Sequence, residues 1–281
     1  SIWSRLPMVA PLRPKSASLL SRASRVRMLT PLFGQLGPLA VASGRFDPSK
    51  DPDYLLDVDF SGATSGLIWQ EPGQVNATGA NQVIGRIRDQ GPFGYHHDQS
   101  SASLKPLWRA NVQNGLGMAE GDGSNDYLDY ASTICNSSKL TMFAVVRVIR
   151  TSFPGPSNTL DTVWTSGDSG NIAYGFATYN SYATQSNNRF GTDPPLAANG
   201  SINGSSVTIP QNISNSASTY ILSASYATTP TSNTGSRLFG YRNGILPGKV
   251  QLGRLILVNR TMTFAEQAPW LAYLNRIWQV F

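Results

Sequence analysis

The chain has 281 residues, enough to bury a core without cross-links, and its single cysteine, Cys135, excludes an internal disulfide framework. Only 14 % of residues are charged, against roughly 25 % in typical soluble domains, and Gly, Ser, Asn, Thr and Pro take their place. That balance suits short strands joined by turns and a surface largely covered by neighbours. The net charge of +6 is not a property of the whole chain, because no acidic residue precedes Asp47.

Residues 1–46 carry Arg5, Arg13, Lys15, Arg22, Arg25, Arg27 and Arg45, with Pro7, Pro11, Pro14, Pro31 and Pro38. Prolines at this density break helices longer than about two turns. An organelle transit peptide, a nucleic-acid-binding arm and an extended arm docked on a partner protein all fit an acid-free basic segment. The basic residues are interleaved with Leu, Val, Met and Pro rather than clustered, which weighs against nucleic acid. The expectation is a docking arm, with Arg5, Arg13, Lys15, Leu19, Leu20, Arg22, Arg25 and Arg27 on the partner. Residues 47–281 form the body, and no run of about 18 apolar residues predicts a membrane helix.

In the body, residues 54–60 alternate Tyr54, Leu56, Val58, Phe60 with Leu55, Asp57, Asp59 and predict a half-buried strand. A loop or short strand follows around Leu67-Ile68-Trp69, then a strand over Val83–Arg88. Asp89-Gln90-Gly91-Pro92 reads as a turn, followed by a loop holding His96 and His97. Gly121-Asp122-Gly123-Ser124-Asn125-Asp126 reads as a tight turn feeding a strand at Tyr127-Leu128. Lys139–Ile149 is the strongest strand, rich in β-branched and aromatic residues, as expected for one covered on both faces. Thr162–Ser166, Asn171–Tyr179, Val207–Pro210, Ser218–Tyr226 and Lys249–Val258 are further strands. Hairpin turns are expected at Asn199-Gly200, Asn203-Gly204 and Asn243-Gly244. At the end Thr263 and Glu266 make a capping box, and Leu271, Leu274, Ile277 and Trp278 space as one helix face.

Five stretches in order resemble one family. They are Arg86-Ile87-Arg88-Asp89-Gln90 with His96, then Lys105-Pro106, and then the run from Gly121 to Leu128. Leu140–Arg147 and the run from Leu252 to Glu266 complete the set. Together they are similar to the concanavalin A-like lectin/glucanase superfamily, of the laminin-G-like kind found in structural proteins of tailed bacteriophages. The resemblance covers residues 50–281, with Pro92-Phe93 and Glu120 departing from its pattern. It implies an all-β fold, an antiparallel two-sheet jelly-roll sandwich, here with an extended basic N-terminal arm and a short C-terminal helix.

Some members of that superfamily hydrolyse glycosides, which needs two carboxylates about 5–9 Å apart. Their Glu-x-Asp-x-(x)-Glu strand motif is absent, since Glu71, Glu120 and Glu266 stand far apart, so the expectation is no enzymatic activity. His96, His97 and Asp98 lack a third ligand at useful spacing, and no metal or other cofactor is expected there. Asp122, Asn125 and Asp126 offer oxygens for Ca²⁺, but the same residues shape turns by bonding their own backbone. Joining arm and sandwich gives a non-enzymatic virion protein, a capsid-decoration, neck or tail component. Its partners would be other virion proteins and further copies of itself. The rival is a carbohydrate-binding module or fibre contacting a host-surface glycan, with Trp69, Trp108, Tyr179 and Tyr182 as candidate contacts and Trp164 as a further aromatic.

Overall fold

A computed structural model describes residues 45–62, 66–71, 75–77, 79–134, 139–149, 159–167, 172–180, 189–192, 197–209, 211–213, 217–226, 235–240 and 248–281. Chain contacts separate Ser1–Gly44 from Arg45–Phe281. The predicted arm contacts Arg5, Arg13, Lys15, Leu19, Leu20, Arg22, Arg25 and Arg27 therefore lie outside the described residues. Phe46 belongs to the body, its ring 5.1 Å from Trp270 and 6.1 Å from Tyr273.

The first half holds β1 (Tyr54–Asp59), β2 (Ile68–Glu71), β3 (Val75–Asn76), β4 (Arg86–Ile87), β5 (His97–Asp98), β6 (Leu107–Gln113), β7 (Leu116–Glu120), β8 (Leu128–Tyr130) and β9 (Leu140–Val148). The second holds β10 (Thr159–Gly167), β11 (Ile172–Asn180), β12 (Arg189–Thr192), β13 (Ala197–Ile202), β14 (Ser205–Val207), β15 (Gln211–Asn212), β16 (Thr219–Tyr226), β17 (Ser236–Leu238) and β18 (Val250–Val258). The helix α1 (Phe264–Trp278) follows. An eight-stranded sheet runs β14-β13-β16-β9-β18-β7-β6, with β1 also paired to β18. A ten-stranded sheet runs β15-β12-β11-β10-β17-β8-β5-β4-β2-β3. The protein is thus mostly β, two antiparallel sheets and one short C-terminal helix. No helix among the described residues is long and apolar enough to cross a membrane.

Strand alternation sorts the core into two layers. In β9, Leu140, Met142, Ala144, Val146 and Val148 join Ile68, Ile87, Leu128, Trp164 and Leu238 of the ten-stranded sheet. Phe143 and Val145 point the other way, onto Trp270, Leu271, Leu274 and Trp278 of α1. This explains why β9 reads as an almost unbroken apolar run. The helix starts as its sequence predicts: Thr263 Oγ1 accepts from the Glu266 N–H while Glu266 Oε2 accepts from the Thr263 N–H. Its buried Gln267 binds Ser223 and Ser225 on β16, which satisfies those three side chains under the helix.

The helix also corrects the reading of β1. That strand is buried on both faces, not half-buried, because Leu56 and Val58 face the inter-sheet core while Tyr54 faces α1. A bulge between Leu252 and Arg254 in β18 turns Arg254 to the helix side. There its guanidinium holds Asp57 at 2.8 and 2.5 Å and Asp59 at 3.2 Å. Tyr54 donates its hydroxyl to Asp57 and its pKa is raised, first by burial and then by that carboxylate.

Three turn expectations differ in outcome. Asn203-Gly204 is a hairpin turn, with φ of 49° and 76°, between Ile202 and Ser205. Asn199-Gly200 lies inside β13, where Gly200 is packed beneath Ile209. Asn243-Gly244 lies outside the described residues. A hairpin missed by the sequence reading joins β6 to β7 at Asn114-Gly115, with φ of 49° and 74°. Val83–Arg88 contracts to the two residues of β4, preceded by a lone bridge from Val83 to Leu107.

Candidate functional site

The outer face of the ten-stranded sheet carries one row of polar side chains. Register places Trp69 beside Arg86, Arg86 beside Asp98, Asp98 beside Asp129, and Asp129 beside Arg237. The residues next to them in sequence, Ile68, Ile87, His97, Leu128 and Leu238, are fully buried on the opposite face. Each carboxylate is gripped by a neighbouring guanidinium. Arg86 binds both oxygens of Asp98, and Arg237 binds Asp129 at 2.5 and 2.6 Å. The Arg237 guanidinium also lies 4.0 Å from the centre of the Tyr127 ring, and Arg86 and Arg88 lie over Trp69.

Above this row opens a cleft of about 660 Å³, lined among others by Arg86, His96, Asp98, Tyr127, Asp129 and Tyr130. Gly94 and His96 on one side of it belong to the loop that follows Asp89 and is built around that residue. The Asp89 carboxylate accepts from the backbone N–H groups of Asp57, Gly91 and Tyr95. Its pKa is raised because burial outweighs those bonds. The loop carries Phe93, 60 % exposed, stacked on Tyr95 at 5.4 Å; Tyr95 in turn meets Tyr130 at 5.2 Å. His96 Nδ1 accepts from the Asp89 N–H, which leaves the proton on Nε2. Its pKa is lowered, mainly by burial and then by Arg86, so the ring is neutral at pH 7.

Beneath the cleft His97 is fully buried. Trp164 donates to Ser236 Oγ at 2.7 Å, and the same hydroxyl pairs with His97 Nε2 at 2.8 Å, the donor there being set by the imidazole tautomer. Burial pushes the His97 pKa down to about 4. The pair resembles a nucleophile and base in distance only, since both groups are sealed from water.

Of the predicted glycan contacts, Trp69 is half-buried at one end of the row. Trp108 is corrected to a core residue: it is buried, its indole N–H donates to Phe60 O at 2.9 Å, and Gly117 packs against its ring. Tyr179 lies in β11 opposite Leu160 and Arg189, and its side chain is outside the description. Tyr182 lies outside the described residues. Trp164 is core. The sequence reading missed Arg86, Asp98, Asp129, Arg237 and Phe93 as one site. The Arg-x-Arg-Asp stretch was visible, but only register aligns it with Asp129 and Arg237.

The Gly121–Asp126 turn is shaped by its own carboxylates. Asp122 Oδ1 accepts from the N–H groups of Ser124, Asn125 and Asp126, while Asp126 Oδ2 accepts from the Asp122 N–H. Burial, followed by the charge of Asp122, raises the pKa of Asp126 to about 6. Among the described residues no group of three His, Cys, Asp or Glu side chains is placed to hold a metal ion.

No family model matches the sequence, and no curated protein does. Solved structures that match include three of Trypanosoma rangeli sialidase. The complex with the inhibitor DANA has a TM-score of 0.38 at 9 % identity over 78 % of this chain and 32 % of that one. The covalent intermediate with 2,3-difluorosialic acid gives 0.41 at 10 %, over 82 % and 34 %. A mutant displaying trans-sialidase activity gives 0.36 at 12 %, over 80 % and 33 %. The chain spans about a third of the length of these proteins. These proteins are enzymes, and the expectation of no enzymatic activity is withdrawn. Likeness at this level assigns no reaction to this chain.

Proposed function

We propose that the chain is a structural component of a tailed-bacteriophage virion. In this reading a laminin-G-like jelly-roll body is tied to neighbouring virion proteins by the basic arm of residues 1–46. The observation that carries it is that the polar residues of the family-like stretches serve as joints of the fold. Arg86 clamps Asp98 and Asp89 organises the loop after it. The Lys105 ammonium, nearly buried, bonds Glu71 at 2.5 Å and Gln70 O at 3.1 Å. Asp122 and Asp126 lock the tight turn, Arg260 binds Asp51 at 2.5 Å, and Thr263 with Glu266 caps the helix. Residue types that look like chemistry in the sequence are thus framework, as a shared fold requires.

The basic arm would add charge-assisted bonds to an acidic partner surface. Chains lacking residues 1–46 are expected to be missing from assembled particles while the full chain is present. Full occupancy by the truncated chain would reject the anchoring role. A second reading, contact with a host-surface glycan, is favoured by the cleft on the ten-stranded sheet, where aromatic rings stand beside planar charged groups.

A further inference from the structure

We infer that a pocket between the first residues of the body and α1 docks a segment of a neighbouring protein that carries acidic residues beside apolar ones. This rests on the anchoring reading of residues 1–46 and gives that anchor a seat on the body.

The pocket, of about 350 Å³, is lined by Arg45 to Pro48 and by Tyr273, Arg276 and Ile277 of α1. Its floor is apolar and fixed in place. Phe46 packs edge-on against Trp270 at 5.1 Å and Tyr273 at 6.1 Å, and Pro48 is buried. Arg254 lies 5.2 Å from the centre of the Tyr273 ring. A floor already built spares a partner the cost of ordering it.

The rim is cationic. Arg45 and Arg276 are both exposed, and neither joins an ion pair among the described residues. Arg86, Arg109, Arg237, Arg254 and Arg260 behave differently, each holding a carboxylate. Asp47 is the one carboxylate lining the pocket, and it is engaged: its Oδ1 accepts from the Ser49 N–H at 3.0 Å and the Ser49 hydroxyl at 2.8 Å, capping the turn Pro48–Lys50. Two arginines against one engaged carboxylate leave the pocket positive. A cation in the last turn suits a helix C-terminus. Here, however, the carbonyls of Ile277, Trp278 and Gln279 take their bonds from Asn114 and Gln113. No helix end accounts for Arg45.

The occupant therefore brings the carboxylate. Residues 1–44 contain no Asp or Glu, so the arm does not supply it. An apolar floor flanked by guanidinium groups has the anatomy of an interface anchor, an apolar side chain in a pocket with charge at the rim. The volume is at the small end of binding cavities, with room for one or two side chains. Continuity favours the protein that the arm engages, because Arg45 and Phe46 are the last two residues of that arm as well as lining residues of the pocket.

The test is fluorescence anisotropy with the full chain and three sets of labelled peptides. The first set sets Asp or Glu beside Leu or Phe. The second replaces its acids with Asn and Gln, and the third replaces its Leu and Phe with Gly. Each is titrated against the wild type, the double variant Arg45→Gln/Arg276→Gln, and Arg88→Gln, which removes a charge beside Trp69 instead. All three arginines are exposed, so these replacements leave folding intact. The expected result is binding of the first set, weakened about tenfold by the double variant and unchanged by Arg88→Gln. Equal binding of the second or the third set shows that charge or the apolar anchor is not read, and overturns the inference. Binding that survives the double variant belongs to the arm; it overturns the inference and leaves the anchoring reading standing. Silence from all three sets overturns the inference as well, and deletion of residues 1–46 in assembled particles decides the anchoring reading on its own.

Discussion

Lowering the pH from 7.5 to 4.5 should destabilise the fold through His97. The ring is fully buried, and its neighbours Trp164, Tyr130 and Ser236 offer no second carboxylate to stabilise a charge; Asp98 and His96 are the titrating groups beside it in sequence. Its pKa falls from 6.5 to about 4 on folding, with burial as the main cause. A depressed histidine contributes stability that is fully present above its unfolded pKa and is lost as pH falls toward the folded one. At about 1.4 kcal/mol per unit, the whole shift amounts to about 3 kcal/mol, and roughly 2.5 kcal/mol is gone by pH 4.5. Urea unfolding of the wild type and of His97→Gln at pH 7.5 and pH 4.5 measures this. Glutamine keeps an acceptor for Ser236 and removes the titration, so the difference in pH dependence isolates the imidazole. Parallel losses of stability in the two proteins would refute the reasoning.

Asp126 should act with the opposite sign. Its folded pKa of about 6 lies above the unfolded value, so its contribution is present below pH 4 and is lost as pH rises through 6. Asp126→Asn, which keeps an acceptor for the Asp122 N–H, should flatten that part of the stability–pH profile in thermal melts. Arg254→Leu strands the buried carboxylate of Asp57 and should cost about 3–5 kcal/mol in urea unfolding, with part regained by adding Asp57→Asn. Thr263→Ala removes the hydroxyl that accepts from the Glu266 N–H and should cost about 1 kcal/mol, read as a lower melting temperature.

How much of this was legible depends on where each residue's partner lies. The helix was readable because its cap joins residues three apart, Thr263 and Glu266. β9 was readable because apolar contact on both faces leaves a nearly unbroken hydrophobic run. The strands that build the cleft were not. β4 and β5 have two residues each and β17 has three, too short for a period to emerge. Their pairing joins residues 108 positions apart, as in Arg237 and Asp129. Trp108 was misread for a related reason. An indole looks the same in sequence whether its N–H meets a ligand or, as here, a backbone carbonyl 48 residues away. Asp89 was taken for ordinary turn punctuation, although its carboxylate gathers three N–H groups from two separate segments.

Covered and open faces are distributed unevenly between the two sheets. The eight-stranded sheet is packed between the inter-sheet core and α1, and its outer polar groups, Thr141, Ser223 and Ser225, are engaged by Gln267 and the backbone. Replacing any of them addresses stability first. In the ten-stranded sheet Asp161 to Ser166 of β10 are buried on both faces, whereas at β4, β5 and β8 the sheet gives one face to the core and leaves the other partly exposed. On that open face an alternating order of charges would be the more stable one, because like charges directly opposite cost up to about 1 kcal/mol. The observed order sets Asp98 against Asp129 and relegates the arginines to either side. Each carboxylate is nonetheless held by its own arginine in bidentate contact, so the two meet as paired charges rather than bare ones, and the cost of setting them side by side is correspondingly reduced.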